Sequence, residues 1–224
     1  MVPAVVTFDL FSALIDSRAG GSEAFGELAR ERGWPVDGAT LYAHWDARNK
    51  AAQRDCAQWA TFAELSGRAL GETYRELGIS ADATQDAERI LASVSQWPLW
   101  PDVADGLARI GRDYPVGILS NVDDDILRRT RAASLVDPDR ALTSQRLAAY
   151  KPGPEIYHRA ERRFAPLVHV ASSARDVQGA LRAGTTMIHL RRPGHTLDPQ
   201  GPEPPRSAEN LDELAERLSE ITRG

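Results

Sequence analysis

Near the start of the chain, in VTFDLFSALIDS (6–17), an apolar run ends on Asp9 and apolar residues follow at once. Burying an unpaired carboxylate is costly, so Asp9 needs a partner, a proton or a task. Other polar groups stand where later apolar runs stop: Ser120 and Asn121 after VGIL, Lys151 in AYKPGPEIY, and Ser172, Ser173 and Asp176 in VASSARD. Lys151, beside a strand end and before Pro152, reads as one half of a buried ion pair with Asp9 or Asp176. Such a pair would keep an acid ionised where it can act on a ligand. Taken singly, Asp176 is a first-turn helix acid, and Ser120 and Asn121 are turn residues.

Five apolar, β-branched runs must carry these groups: 4–10, 116–121, 141–145, 167–172 and 185–190. Helical patterns separate the last four, and strand alternating with helix argues a parallel sheet covered on both faces. Between the first run and the rest, about 16–95 reads as four helices, near 22–32, 38–54, 62–77 and 83–95; Thr61 and Glu64 form a capping box before the third. WPLWP (97–101) reads as a stiff return. The Pro and Gly spacing of 191–207 predicts a surface loop, and a last amphipathic helix presents Leu211, Leu214, Leu218 and Ile221. In the open parallel sheet these elements imply, ligands sit at the carboxyl ends of the strands.

Composition narrows the class. A net charge of −5, with Lys and Arg mixed among Asp and Glu, leaves no footprint for nucleic acid or an anionic membrane, so a small molecule is the expected partner. Cys56 is the single cysteine, which excludes an internal disulfide; with no basic leader and no membrane-length apolar segment, the expected location is the cytoplasm. Cys56 itself reads as a buried small residue.

FDLFSAL, ILSN, YKPGPEIY and VASSARDVQGALRAG, in this order and with a helical insert after the first, resemble the haloacid dehalogenase superfamily over nearly the whole chain. The resemblance implies an α/β fold: a Rossmann-like parallel sheet core with helices on both faces (1–15 and 96–224) and an inserted helical cap domain (16–95). It implies Asp9 as nucleophile, Ser120 as the second-motif hydroxyl, Lys151 as the motif lysine and Asp176 as the fourth-motif acid. Two positions select the branch. Phosphatases of the superfamily carry a second Asp two residues after the nucleophile, where this chain has Phe11, and an acid early in the fourth motif, where it has Ser172. L-2-haloacid dehalogenases instead have an aromatic residue and a serine-rich motif there, and need no metal because halide leaves without a proton.

The implied reaction is attack of Asp9 on the carbon–halogen bond of a small 2-haloacid through an aspartyl ester, with Asp9, Lys151 and Asp176 catalytic. Phe11, Arg48, Ser120, Asn121, Tyr157 and Ser173 are the implied substrate contacts, and neither metal nor cofactor is implied. Arg48 also falls on the apolar face of its helix, three residues after Trp45, and is expected to point inward toward the cap–core cleft and receive halide. A small carboxylate is the expected partner, with a homodimer left open. The chain departs from the dehalogenase pattern at Ala13 (Thr there), Ala171 (Ser), Ser173 (Asn) and Arg175 (an aromatic residue). These departures keep two other readings open: a hydrolase of phosphoryl or other substrates, and a non-catalytic binding protein.

Overall fold

The computed structural model of the chain describes residues 4–223. In chain order it runs through β1 (Val5–Phe8), α1 (Ser17–Arg32), α2 (Gly38–Arg54), α3 (Phe62–Leu77), α4 (Ala83–Ala92) and α5 (Val103–Ile110). It continues through β2 (Val116–Ser120), α6 (Asp124–Arg129), β3 (Ala141–Thr143), α7 (Ser144–Leu147), α8 (Pro154–Arg163) and β4 (Leu167–Ala171). α9 (Ala174–Arg182), β5 (Met187–Leu190), β6 (Ser207–Ala208) and α10 (Leu211–Arg223) complete it. The chain forms two compact units.

One unit comprises the run through Ile15, Leu99–Asn121 and everything from Ala132 onward. Its six strands form one parallel sheet in the order β3-β2-β1-β4-β5-β6, with helices on both sides. β1, β2 and β4 are the three central strands next to the polar groups, and β2 and β4 are buried at every position. β1 ends at Phe8, earlier than the apolar run suggests, because Asp9 caps the turn after it: its carboxylate accepts from the Ser12 N–H. Leu10–Leu14 makes this single π-helical turn, closed by a 2.9 Å bond from Ile15 N–H to the Leu10 carbonyl. The expected loop over 191–207 also ends sooner, since Ser207 and Ala208 add an edge strand beside β5. β3 stops at Thr143 because Thr143 Oγ1 caps α7 through the Arg146 N–H.

The second unit comprises Asp16–Pro98 and Val122–Arg131. Each of its long helices has an oxygen cap: Asp16, Asp37, Asp82, and the Thr61–Glu64 box that the sequence predicts. α1 begins at Ser17, not near 22, and so runs through Gly20 and Gly21. A Cβ at Gly20 would lie 2.5 Å from the Trp97 ring and one at Gly21 2.3 Å from the Tyr42 ring, so these glycines are the seats of two aromatic side chains. Residues 96–98 and 122–131, expected with the sheet, group with the helices. Trp97 seats on α1 and donates to Ser93 Oγ, Asp123 binds the start of α3, and Arg131 Nε donates to the Ser95 carbonyl. Cys56, expected to be buried, is half-buried, with its Sγ against the Gln58 carbonyl. Among the described residues no helix is long and apolar enough to cross a membrane.

Asp123 is 3% exposed and accepts the N–H groups of both Phe62 and Ala63 at 2.9 Å. Burial pushes its carboxyl above the ordinary value although both backbone bonds pull it down. Its side chain thus anchors α3 from about 60 residues away in sequence. Asp123→Ala should cost about 1–2 kcal/mol, the usual worth of such a cap. A urea titration read by circular dichroism should show the midpoint fall with an unchanged slope.

Candidate active site

The strand ends gather the polar groups as a parallel sheet requires. Asp9 follows β1, and its N–H donates to the Val170 carbonyl of β4, which fixes the carboxylate between β2 and β4. Ser120 ends β2. Lys151 arrives on the loop before α8, where Asn121 clamps its backbone twice: the Lys151 N–H donates to Asn121 Oδ1 (2.8 Å), and Asn121 Nδ2 donates to the Lys151 carbonyl (2.9 Å). Asp176 lies in the first turn of α9.

The Lys151 ammonium sits between the two acids, 2.8 Å from Asp9 Oδ1 and 2.5 Å from Asp176 Oδ2, and its third bond goes to the Leu119 carbonyl at 2.7 Å. An ammonium has three donors, so all of them are used. Asp9 is held by four donors: Oδ1 accepts from Lys151 and the Ser120 hydroxyl (3.1 Å), and Oδ2 accepts from the Ser12 N–H (3.1 Å) and the Ser12 hydroxyl (2.6 Å). Asp176 Oδ1 accepts the Tyr157 hydroxyl at 2.7 Å, and His169 Nε2 lies 3.2 Å from both Asp176 oxygens. Behind the ring, His169 Nδ1 is 3.1 Å from Thr7 Oγ1, its register partner across β1 and β4.

Electrostatics follow from this packing. Burial alone would raise the Asp9 carboxyl, but the Lys151 charge and the Lys151 and Ser12 bonds outweigh both it and the nearby Asp176, so Asp9 titrates below its ordinary value. Asp176 is likewise held far below the carboxylate range against its burial, by Lys151 and His169. Burial works against the Lys151 charge too, yet the two carboxylates raise it above the usual ammonium value. The Tyr157 hydroxyl is pushed well up, by burial first and by Asp176 next, so it stays a donor. The arrangement stores one ionised, oriented carboxylate at a strand end.

Of the residues named from sequence, Asp9, Ser120, Asn121, Lys151, Tyr157 and Asp176 meet in this network. Ser120 donates its hydroxyl to Asp9, Lys151 divides its three donors among Asp9, Asp176 and the Leu119 carbonyl, and Asn121 is bound to the Lys151 backbone. Phe11 is half-buried, in a turn whose other residues are buried. Ser173 starts α9, where its carbonyl accepts the Asp176 N–H at 3.0 Å. Arg175 donates to the Lys151 carbonyl. Arg48, in the helical unit, is half-buried and ion-paired with Glu76; the fully buried polar positions of its helix are Asn49 and Gln53.

Ser12, His169, Thr7 and Arg192 do not stand out in the sequence. Arg192, 7% exposed, donates from Nε to the Ala13 carbonyl and from Nη1 to Asp102, and its guanidinium lies over the Trp100 ring at 5.5 Å. It therefore ties the turn after Asp9 to the returning chain. The available signals are local: Ser12 stands three residues after Asp9, as in a capping turn, and Thr7 and His169 are polar residues inside apolar strands.

Magnesium is used by phosphatases of the resembled superfamily, and the residues here do not fit it. Phe11 and Ser172 stand where two acids would, and Ser172 Oγ is buried without a hydrogen-bond partner. No group of three or more His, Cys, Asp or Glu among the described residues is arranged to hold a metal ion.

The family model for haloacid dehalogenase-like hydrolases matches residues 3–184. No curated protein matches the chain in sequence. Among solved structures, a defluorinating L-2-haloacid dehalogenase is 25% identical with a TM-score of 0.82, the match covering 97% of this chain and 95% of that one. The L-2-haloacid dehalogenase from Xanthobacter autotrophicus, with chloropropionic acid covalently bound, is 23% identical with a TM-score of 0.81 over 100% of this chain and 99% of that one, a likeness of fold.

The Lys151 bridge sets a pH dependence. In the parent, both carboxylates titrate below their ordinary values. Their stabilisation is complete above the unfolded carboxylate value near ~4 and is lost as pH falls through the depressed folded values. Lys151→Met leaves two buried carboxylates facing each other. Burial and repulsion then raise a folded value above the unfolded one, so stability is lost as pH rises. The variant should be less stable by roughly 3–5 kcal/mol at about pH 7 and recover part of this near about pH 5, where the parent gains nothing. Urea midpoints at the two pH values check the reversed sign.

Proposed function

The chain belongs to the haloacid dehalogenase-like hydrolase family, and on that footing we propose that it is a metal-independent hydrolase of small 2-halocarboxylic acids. The observation that carries this reading is Phe11. A leaving group that must be protonated needs an acid beside the nucleophile, and the side chain two residues after Asp9 is a hydrocarbon ring. Halide needs no proton. The likeness to a 25% identical dehalogenase supports the same choice.

In the proposed reaction an Asp9 oxygen attacks C2 in line, the carbon–halogen bond breaks with its electron pair leaving as halide, and an ester joins Asp9 to C2. Whichever oxygen attacks, the other keeps two donors: Lys151 and Ser120 on Oδ1, or the N–H and hydroxyl of Ser12 on Oδ2. These donors stabilise the oxyanion formed when water, oriented by Asp176, adds to the ester carbonyl. The bond from the carbonyl carbon to the substrate oxygen then breaks with its electron pair on that oxygen; of the two protons of the added water one ends on this oxygen as the new hydroxyl and the other passes to solvent, so that a 2-hydroxy acid departs and the Asp9 carboxylate is restored. The helical unit, read as a cap over this chemistry, belongs to the same proposal.

One turnover in heavy-oxygen water, with enzyme in excess over L-2-chloropropionate, should place heavy oxygen in the Asp9 peptide and not in the new hydroxyl of the product. Halide release with the label in the product would mean direct attack by water and overturn the role of Asp9. A chelator should leave the rate unchanged. Phosphate-ester turnover that needs added magnesium would favour a phosphatase, and saturable anion binding without turnover a binding protein.

A further inference from the structure

His169 is fully buried in the middle of β4 between Val168 and Val170, where sheet packing asks only for an apolar side chain. A buried imidazole is costly unless its nitrogens are bonded, and both are engaged in this network, Nδ1 with Thr7 and Nε2 with Asp176. An ionised carboxylate only accepts, so the nitrogen facing Asp176 carries the proton. Nε2 lies 3.2 Å from each Asp176 oxygen and so straddles the carboxylate, while Lys151 and Tyr157 each hold one oxygen. Three donors therefore fix the rotation of Asp176. The Tyr157 ring meets the imidazole edge-on, with centroids 5.9 Å apart, and supports it in place.

We propose that His169 is a positioning residue for the hydrolytic half of the reaction, holding the Asp176 carboxylate in the orientation from which it directs water onto the Asp9 ester. The inference rests on the dehalogenase reading of the site. It assigns the effect to one step because the donors on Asp9 are Ser12, Ser120 and Lys151, none of which bonds to His169. The imidazole therefore reaches Asp9 only at second hand, through Asp176 and the Lys151 ammonium the two acids share, whereas it bonds directly to the carboxylate that directs water, so addition of water is the step it affects most.

His169→Phe keeps the ring and removes both nitrogens, while His169→Gln keeps an N–H donor. With L-2-chloropropionate, His169→Phe should keep the first-turnover burst of halide and give a steady rate lower by roughly ten- to a hundredfold, the worth of one hydrogen bond to a charged group. KM should fall together with kcat, and intact-protein mass spectrometry should show the Asp9 ester accumulating. His169→Gln should restore part of the steady rate. Thr7→Val, which removes only the Nδ1 partner, gives a milder version of the same pattern if His169→Phe does not fold. Loss of burst and steady rate together, or an unchanged steady rate, overturns the proposal. A parent enzyme that releases no halide overturns the dehalogenase reading instead. The nitrogen-15 spectrum of the parent imidazole then judges His169 separately, since a bare Nε2 would be incompatible with the role.

Discussion

One ammonium shared by two buried carboxylates is the constraint around which the sheet unit is organised. Lys151, Asp9 and Asp176 are each almost wholly removed from water, and each charge alone would be prohibitive there. Two anions and one cation leave the trio with an excess negative charge. That excess is spread over neutral or polar donors: the N–H and hydroxyl of Ser12, the hydroxyls of Ser120 and Tyr157, and the His169 ring. Each oxygen of Asp9 is held by two donors. The nucleophile is therefore held still by the same bonds that keep it ionised.

This demand explains the local fold. The donors come from four separate stretches, and parallel strands β1, β2 and β4 bring their carboxyl ends to one edge. The π-helical turn after β1 returns the Ser12 side chain to Asp9, which a continued strand could not do. Arg192 holds that turn from behind through the Ala13 carbonyl. On α9, a Cβ at Gly179 would stand 2.6 Å from the Tyr157 hydroxyl and 2.9 Å from Pro152, so the bare backbone leaves room for the hydroxyl that binds Asp176.

Asp9, Lys151 and Asp176 are legible in the sequence because each sits at a break in an apolar run, and the order of the motifs then gives them partners. The capped helices are legible too, since Thr61 and Glu64 signal a start by themselves. His169 is not, because a strand buried on both faces has no alternation to reveal which polar residue faces which. Only the register pairing Thr7 with His169 makes two isolated polar residues into a bonded pair. The extent of α1 is hidden for a similar reason: glycine has low helix propensity, and only the Trp97 and Tyr42 rings set against Gly20 and Gly21 show why the helix runs through them. Residues 122–131 follow a core strand in sequence, and nothing local shows that Asp123 will cap a helix that starts at Phe62.

Ala13 is the departure from the resembled pattern that lies nearest the nucleophile. The resemblance places a threonine there, and its loss suggests a nucleophile short of one hydroxyl. In the folded chain Ala13 is fully buried and contributes its carbonyl to Arg192, while the hydroxyl that reaches Asp9 comes from Ser12 at 2.6 Å. The turn of five residues between Asp9 and Ile15 directs residue 12 and not residue 13 at the carboxylate. Its Oγ and its own N–H converge on the same oxygen, Oδ2, whereas Lys151 and Ser120 converge on the other. The number of donors on the nucleophile is thus a property of the turn and the strand ends together, and it is not read from any one position of the motif.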